Sequence, residues 1–157
     1  MALKIDLLTA ANKNQFGQIW LPWLKETMGL EPQQEDIEAM DDPVAFYGAS
    51  GGAAFIATLD GAPVGTVAVK RLGEAGFEFC KLVVTDAARG QGAGKALIDA
   101  CIKFAGHHKG PALWLQSFNK LDVALGMYAR MGFEHTEPPE QMDVLDRTEV
   151  IMKMNVV

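Results

Sequence analysis

The sequence predicts a mixed α/β domain, and two observations support this fold class. Three strand-like segments separated by turn residues follow one another in the middle of the chain, which is typical of an antiparallel meander. Two segments with apolar residues at helical spacing then alternate with further strand-like segments. Runs of strands combined with strand–helix–strand units give a sheet covered by helices in two or three layers. We expect the 157 residues to form one such domain, over 1–157.

The first third of the chain predicts one strand and two helices. Apolar and polar residues alternate from Ala2 to Leu8, which indicates a strand, and Thr9 is the expected cap of the next helix. The apolar residues at helical spacing in that helix are Phe16, Ile19, Trp20, Trp23 and Leu24. Pro22 should bend or end this helix. A second short helix should begin at Glu31-Pro32 and run through Met40, with Asp41-Asp42-Pro43 as its stop.

The remaining elements follow from turn residues and spacing. The strands of the meander are expected at Ala53 to Leu59, Val64 to Leu72 and Phe77 to Thr85, with a hairpin turn at Asp60-Gly61. A helical apolar stripe then extends to about Gly106, and a second one runs from Leu121 to Met131 and ends at Gly132. The later strands are expected at Ala112 to Ser117, Phe133 to Thr136 and Arg147 to Val156.

Composition excludes several classes of function. The formal net charge of −6 argues against nonspecific nucleic-acid binding, which needs a basic face. Cys80 and Cys101 are too few for a disulfide scaffold, so a reducing compartment is expected. No signal peptide and no apolar run long enough to span a membrane is evident, so we expect a cytoplasmic protein without a membrane partner. The histidines lack metal-ligand spacing, and no metal is predicted.

A glycine-rich loop between a strand and a helix is the most informative motif. The apolar run from Lys81 to Val84 is followed by Arg89-Gly90-Gln91-Gly92-Ala93-Gly94-Lys95 and then by a helical stripe. Glycine lets the backbone approach a ligand closely, and the first N–H groups of a helix favour an anion. These properties predict that the loop binds a phosphorylated small molecule. The alternative is a tight strand-to-helix turn without a ligand.

Two well-known phosphate-binding patterns do not fit this loop. A P-loop needs a glycine where Arg89 stands, and Ser or Thr where Ala96 stands, so the Mg²⁺-binding hydroxyl is missing. The dinucleotide fingerprint, started at Gly90, fails at its last place, which holds Lys95.

A third pattern, [Arg/Gln]-x-x-Gly-x-[Gly/Ala] after a strand, does fit Arg89 to Gly94. A second motif, N-x(4)-A-x(3)-Y-x(3)-G-F, is met by Asn119, Ala124, Tyr128 and Gly132-Phe133. With both motifs, the sequence resembles the GNAT-type, acyl-CoA-dependent N-acetyltransferases over nearly its whole length. Asp86 departs from the family, which often has proline there. The resemblance implies a GNAT-like fold, with a central, mostly antiparallel sheet of about six or seven strands and about four flanking helices.

The same resemblance implies a function. The expected activity is transfer of an acetyl group from acetyl-CoA, the co-substrate, to a primary amine of a small molecule, directly in a ternary complex. Acetylation of a protein or peptide, or acyl-CoA binding without catalysis, are the alternatives. By the same resemblance, a homodimer is an open alternative to a monomer.

By the resemblance, acetyl-CoA is bound by the loop, by the backbone of the preceding strand and by the second motif. These residues are Leu82, Val83, Val84, Arg89, Gly90, Gln91, Gly92, Ala93, Gly94, Lys95, Asn119 and Tyr128. The side chains of Leu82 to Val84 are explained as core, so a role there belongs to the backbone, including an N–H for the oxyanion. Asn119 would hold the pantetheine arm or cap the next helix.

Two residues are candidates for catalysis. Glu78 matches a position where relatives carry a glutamate base, and strand alternation predicts that it shares a face with Leu82 and Cys80. The alternative is a solvated or salt-bridged glutamate. Tyr128 matches the family's tyrosine acid for the thiolate leaving group, or else is a tyrosine at the edge of the core.

The acceptor amine should bind near the first helices. Trp20 and Trp23 are candidate walls of its pocket, although core packing also explains a tryptophan there. Arg147, expected on the last strand, is a candidate partner for a substrate carboxylate. A surface ion pair with Asp143 or Asp146 is the alternative.

Overall fold

The computed structural model describes residues 2–156, and one sheet runs through it. The strands are β1 (Leu3–Leu7), β2 (Ala53–Leu59), β3 (Ala62–Arg71), β4 (Phe77–Val84), β5 (Ala112–Ser117), β6 (Glu134–His135) and β7 (Val150–Asn155). The helices are α1 (Asn14–Pro22), α2 (Gln34–Asp41), α3 (Pro43–Ala49), α4 (Ala93–His107) and α5 (Asp122–Met131). The seven strands lie in the order β1-β2-β3-β4-β5-β7-β6, antiparallel except for β4 beside β5. The predicted mixed α/β fold with a mostly antiparallel sheet is confirmed.

The sheet separates two apolar cores, so the molecule has three layers. On β2, Phe55 and Ala57 pack into a core with α4 and α5, whereas Ala54 and Ile56 pack against α1 to α3. Because both faces of β2 are covered, it is apolar at nearly every position rather than alternating. None of the helices among residues 2–156 is long and apolar enough to cross a membrane.

A bulge interrupts β4 just before its end. Lys81 adopts a left-handed conformation (φ 60°), and the register with β3 shifts between Thr66 and Ala68. The Thr66 hydroxyl donates a hydrogen bond of 2.8 Å to the Lys81 carbonyl, which holds the bulge in place. A residue other than glycine adopts this conformation at a cost in free energy. A bulge of this kind also changes the direction of the side chains that follow it.

The bulge corrects one prediction. Strict alternation would place Glu78 and Leu82 on one face, but the extra residue shifts the pattern by one. Glu78 lies on the α1 side of the sheet, opposite Lys70 of β3, while Leu82 packs against the core on the α4 side. Val83 instead packs against Trp20 on the α1 side. Cys80 does share the side of Glu78, as expected.

The strands β4 and β5 separate soon after they begin to pair. Their parallel register covers only Phe77 with Leu113 and Glu78 with Trp114. From Cys80 onward, the edge of β4 that faces β5 is therefore not covered by that strand. The strand ending at Val84 thus diverges from Ala112–Ser117, and this separation opens the space in which the site lies.

The N-terminal helices differ from the prediction in three places. Thr9 does not cap α1; its N–H instead donates to the Asn12 side chain, and α1 begins at Asn14. The second helix begins at Gln34 rather than at Glu31, because Gln33 and Asp36 form a capping box.

A third helix, α3, was not predicted. Asp42 follows the end of α2, and its side chain accepts a hydrogen bond from Ala45 N and so caps α3. Pro22 ends α1, and a short π-helix, Trp23–Thr27, follows.

The last strand is shorter than predicted. It runs from Val150 to Asn155, so Arg147 lies in the preceding loop and not on the strand. The residues 143–148 of this loop are drawn toward the sheet by side-chain hydrogen bonds rather than by strand pairing. The loop therefore contributes side chains to the cavity beside β5.

Candidate functional site

The glycine loop and the end of β4 form one wall of an open cavity of about 600 Å³, which we call the loop groove. Its opposite wall is the start of α5. The residues that line it are Trp23, Leu82, Val83, Val84, Ala88, Arg89, Gly90, Gly92, Ala93, Gly94, Lys95, Lys120, Leu121, Asp122, Val123, Ala124, Met127, Tyr128 and Arg130. Most of the predicted donor-binding residues thus lie around a single groove.

The loop conformation depends on glycine at two positions. Gly90 and Gly92 have φ of 78° and 79°, the left-handed region that side chains rarely adopt. A Cβ added at either would meet no atom within 4 Å, so conformation and not space selects glycine within the chain. Gly92 caps α4, and the first intrahelical hydrogen bond runs from Ala96 N to Gly92 O. The N–H groups of the first turn of α4 have no partner within the helix and are suited to bind an anion.

The cations of the loop are already paired with carboxylates. Arg89 Nε lies 2.8 Å from Asp86 Oδ1, and Lys95 Nζ lies 3.1 Å from Asp99 Oδ2. Both pairs are largely exposed, so each contributes little to stability. The backbone amides and the α4 dipole are therefore the groups free to bind an anion at this loop, and the two cations would have to exchange a carboxylate for it.

A second, smaller cavity of about 140 Å³ lies between α1, β4, β5 and the loop before β7; we call it the inner pocket. Its lining includes Trp20 and Trp23, the candidate walls of the acceptor pocket, together with Glu78, Cys80, Gln116 and Arg147. Trp20 is also part of a small core with Leu24 and Val83, which is the core packing given as the alternative for a tryptophan there.

The two cavities meet, and Tyr128 lies where they do. Four residues line both the loop groove and the inner pocket, namely Trp23, Leu82, Leu121 and Tyr128. The Tyr128 ring stacks edge-on against Phe79 and Phe133, with centroids 5.5 and 6.0 Å away. Burial raises the pKa of Tyr128, so its phenol is protonated at neutral pH. The structure thus places a proton donor at the junction of the cavities.

Glu78 is a buried carboxyl on the wall of the inner pocket, with 1% of its surface exposed. Burial raises its pKa, against the opposing effects of Lys70, of a hydrogen bond from Gln116 and of Lys81. Glu78 Oε2 accepts a hydrogen bond of 3.0 Å from Gln116 Nε2, while Glu78 Oε1 lies 4.0 Å from Lys70 Nζ. A carboxyl whose pKa is raised toward neutrality is suited to accept a proton there.

Gln116 was not predicted, and it connects several parts of the site. Its Nε2 donates to Glu78 and, at 3.0 Å, to the Asp143 carbonyl. Its Oε1 accepts from Leu145 N at 3.0 Å and from the Thr148 hydroxyl. All donors and acceptors of this amide are therefore used. The signal in the sequence was an amide that directly follows four apolar residues in the strand Ala112–Ser117.

A buried ion pair at the inner pocket was also missed. Lys81, in the bulge, lies 3.0 Å from Asp36 Oδ1 of α2, and its ammonium is 4.5 Å from the Trp20 ring centroid. Asp36 Oδ2 also accepts from Gln33 N at 2.9 Å in the capping box. This pair links the bulge to α1 and α2, so the strand distortion and the pocket wall support each other.

Two predicted residues lie elsewhere than expected. Asn119 is exposed and does not cap α5, since Leu121 occupies the cap position; its N–H donates to Glu149 Oε1 at 3.1 Å. Its expected contact with the pantetheine arm stays a prediction. Arg147 lines the inner pocket, and among residues 2–156 no carboxylate lies within ion-pair distance of it. The alternative pairing with Asp143 or Asp146 is therefore not seen.

The cysteines have different places. Cys101 of α4 is buried in the core, while Cys80 borders the inner pocket with its thiol 3.9 Å from the Tyr47 hydroxyl. Burial raises the pKa of both thiols. Within the described part of the chain, no cluster of three or more histidine, cysteine or acidic side chains could hold a metal ion.

The model of the acetyltransferase (GNAT) family matches residues 18–133, and the chain belongs to this family. No curated protein sequence matches the chain. Among solved structures, a GNAT-family acetyltransferase from Staphylococcus aureus Mu50 superposes with a TM-score of 0.88 and 21% identity, over 99% of this chain and all 100% of that one. An acetyltransferase from Streptococcus agalactiae 2603 follows at 0.82 and 17%, over 98% of both chains.

A third neighbour is the PaiA N-acetyltransferase from Thermoplasma acidophilum, crystallised in complex with coenzyme A. It superposes with a TM-score of 0.74 and 14% identity, over 99% of both chains. At these identities the neighbours establish the fold, and the family model supports an acyltransferase activity.

Proposed function

We propose that this protein is an N-acetyltransferase that moves the acetyl group of acetyl-CoA to the primary amine of a small molecule by direct transfer. The observation that carries the proposal is the meeting of the loop groove and the inner pocket at Tyr128. A donor in one cavity and an acceptor in the other would have their reacting atoms at that junction.

The residues of the loop groove fit coenzyme A. The amides at the start of α4 suit its pyrophosphate, and the uncovered edge of β4 suits the amides of its pantetheine arm. When bound, acetyl-CoA supplies an activated acyl carbon and a thiolate leaving group. The fit rests on backbone groups, which explains why glycine is needed at Gly90 and Gly92.

The roles of the side chains follow from their positions. Glu78 accepts the proton of the acceptor ammonium, directly or through water, and leaves a neutral amine for attack. A backbone N–H near Leu82 or Val83 stabilises the oxyanion of the tetrahedral intermediate. Tyr128 donates its proton to the departing sulfur as the carbon–sulfur bond breaks. The nitrogen, now bonded to the acetyl carbon, gives up one proton, which returns to Tyr128 directly or through water and restores the phenol. The volume of the inner pocket, about 140 Å³, favours a small molecule over a protein segment.

The experiment is to follow thiol release from acetyl-CoA with a panel of small amines and of lysine- and amino-terminal peptides. Thiol release that depends on a small amine, with an equal amount of N-acetylated product by mass spectrometry, is the expected result. Release with peptides alone would refute the small-molecule acceptor. If acetyl-CoA binds and no amine releases thiol, the chain is a binding module instead.

A further inference from the structure

Two side-chain polar atoms among residues 2–156 are buried without a hydrogen-bond partner, and both belong to residues that line the inner pocket. They are Glu78 Oε1 and Arg147 Nε. One is an acceptor on an acidic group and the other a donor on a cation. Buried polar groups in proteins nearly always have partners, so a ligand that supplies a donor to the first and an acceptor to the second would complete the site.

The other charges at the inner pocket are accounted for within the chain. Lys81 pairs with Asp36 at 3.0 Å, and Lys70 lies 4.0 Å from Glu35. Lys70 is also 4.0 Å from Glu78 Oε1, which is too far for a hydrogen bond and leaves that oxygen free to accept one. Arg147 has no carboxylate within ion-pair distance among the described residues. The pocket thus presents one cation whose natural counterion is absent from its own walls.

Gln116 contacts both the Glu78 carboxyl and the loop that carries Arg147. Its Nε2 contacts Glu78 Oε2 at 3.0 Å, and its Oε1 contacts Leu145 N and the Thr148 hydroxyl, on either side of Arg147 in the chain. The two ends of a single amide side chain therefore fix the carboxyl on one side and the arginine loop on the other. Both groups line the inner pocket, so one ligand in that pocket is flanked by the two of them.

We propose that the acceptor is an amino acid: its amine lies at Glu78 and its carboxylate at Arg147. The inference rests on the proposed transferase function and adds the substrate class to it. Arginine suits this task because its planar guanidinium can bind a carboxylate through two parallel hydrogen bonds. Recognition of the carboxylate would orient the amine toward the junction at Tyr128, where the inner pocket meets the loop groove.

The test compares amino acids with their carboxamides, which keep the amine and side chain and remove only the negative charge. Thiol release from acetyl-CoA is measured with both members of each pair, for the unaltered enzyme, Arg147→Met and Arg147→Lys. We expect kcat/KM for the best amino acid to exceed that for its amide by tenfold or more, mostly through KM. Arg147→Met should remove this preference by lowering turnover of the acid and sparing the amide. Arg147→Lys should keep part of it.

Arg71→Met is the matched control, because Arg71 is exposed at the end of β3, where its guanidinium lies 5.1 Å from the Phe77 ring. It should leave the preference intact. Equal use of acids and amides by the unaltered enzyme would overturn the inference while the transferase function stood. An equal loss for both members in Arg147→Met would overturn it too, by assigning Arg147 a structural role. If no amine releases thiol, the proposed function fails, and the inference fails with it.

Discussion

Replacing Tyr128 by phenylalanine removes one hydroxyl at the junction of the two cavities. The aromatic contacts with Phe79 and Phe133 involve only the ring, so phenylalanine keeps them. The substitution therefore keeps the packing of the ring and removes only the hydroxyl. The free energy of unfolding should therefore change by less than about 1 kcal/mol.

The kinetic effect should be much larger than the effect on stability. Burial keeps the Tyr128 phenol protonated at neutral pH, which is the form required of an acid. General acid catalysis typically contributes about 10²–10⁴-fold, so kcat should fall by about 10²-fold or more, or roughly 2.7 kcal/mol in the barrier. The binding constant for acetyl-CoA should hardly change, because the loop groove and its backbone groups are intact.

Steady-state thiol release across pH gives kcat, and calorimetric titration with CoA gives the binding constant independently. Thermal unfolding confirms that the variant is folded. Full retention of kcat and of the pH–rate profile in Tyr128→Phe would refute the role of this residue as the acid. A loss of CoA affinity equal to the loss of kcat would instead assign the hydroxyl to donor binding.

Two further predictions concern the base and the loop. Since burial raises the pKa of Glu78, kcat/KM should fall as pH drops through that raised value, and Glu78→Gln should lose activity together with this acidic limb; an unchanged limb would exclude Glu78. The folded state holds that proton more tightly than the unfolded chain, so the stability that comes from protonated Glu78 is lost as pH rises through the raised pKa. Glutamine does not titrate, so the Tm of the unaltered protein should fall relative to that of Glu78→Gln as pH rises over this window. Gly92→Ala forces alanine into a left-handed conformation at a cost of about 1–2 kcal/mol and should weaken CoA binding in calorimetric titration. Gly48→Ala in α3, where a Cβ meets nothing within 4 Å and φ is not positive, is the control and should bind CoA normally; normal binding by Gly92→Ala would contradict the role of the loop backbone.

The elements with strong local signals were predictable from the sequence. The strand Ala53–Leu59 and the strand Ala112–Ser117 have the predicted bounds, because turn residues flank each apolar run. The helix α3 was missed because Asp42-Pro43 ends one helix and begins the next with the same residues, and sequence signals for a stop and a start overlap there.

The site was predicted in its loop and less well in its inner pocket. The loop signal is local, since glycine spacing after a strand determines the backbone conformation. The inner pocket depends on contacts between distant segments, such as Gln116 with Glu78 and with the loop around Leu145. The bulge at Lys81 is likewise set by a hydrogen bond from Thr66 on another strand, so alternation along β4 alone gave the wrong face for Leu82.

The order of substrate binding and product release tests direct transfer most directly. Initial rates of thiol release should be measured over a grid of acetyl-CoA and amine concentrations. Two cavities that meet at one junction predict a ternary complex, and hence intersecting lines in double-reciprocal plots, with no acetylated enzyme by intact-protein mass spectrometry when the amine is omitted. Parallel lines together with an acetyl group on Cys80, the thiol at the inner pocket, would contradict the account.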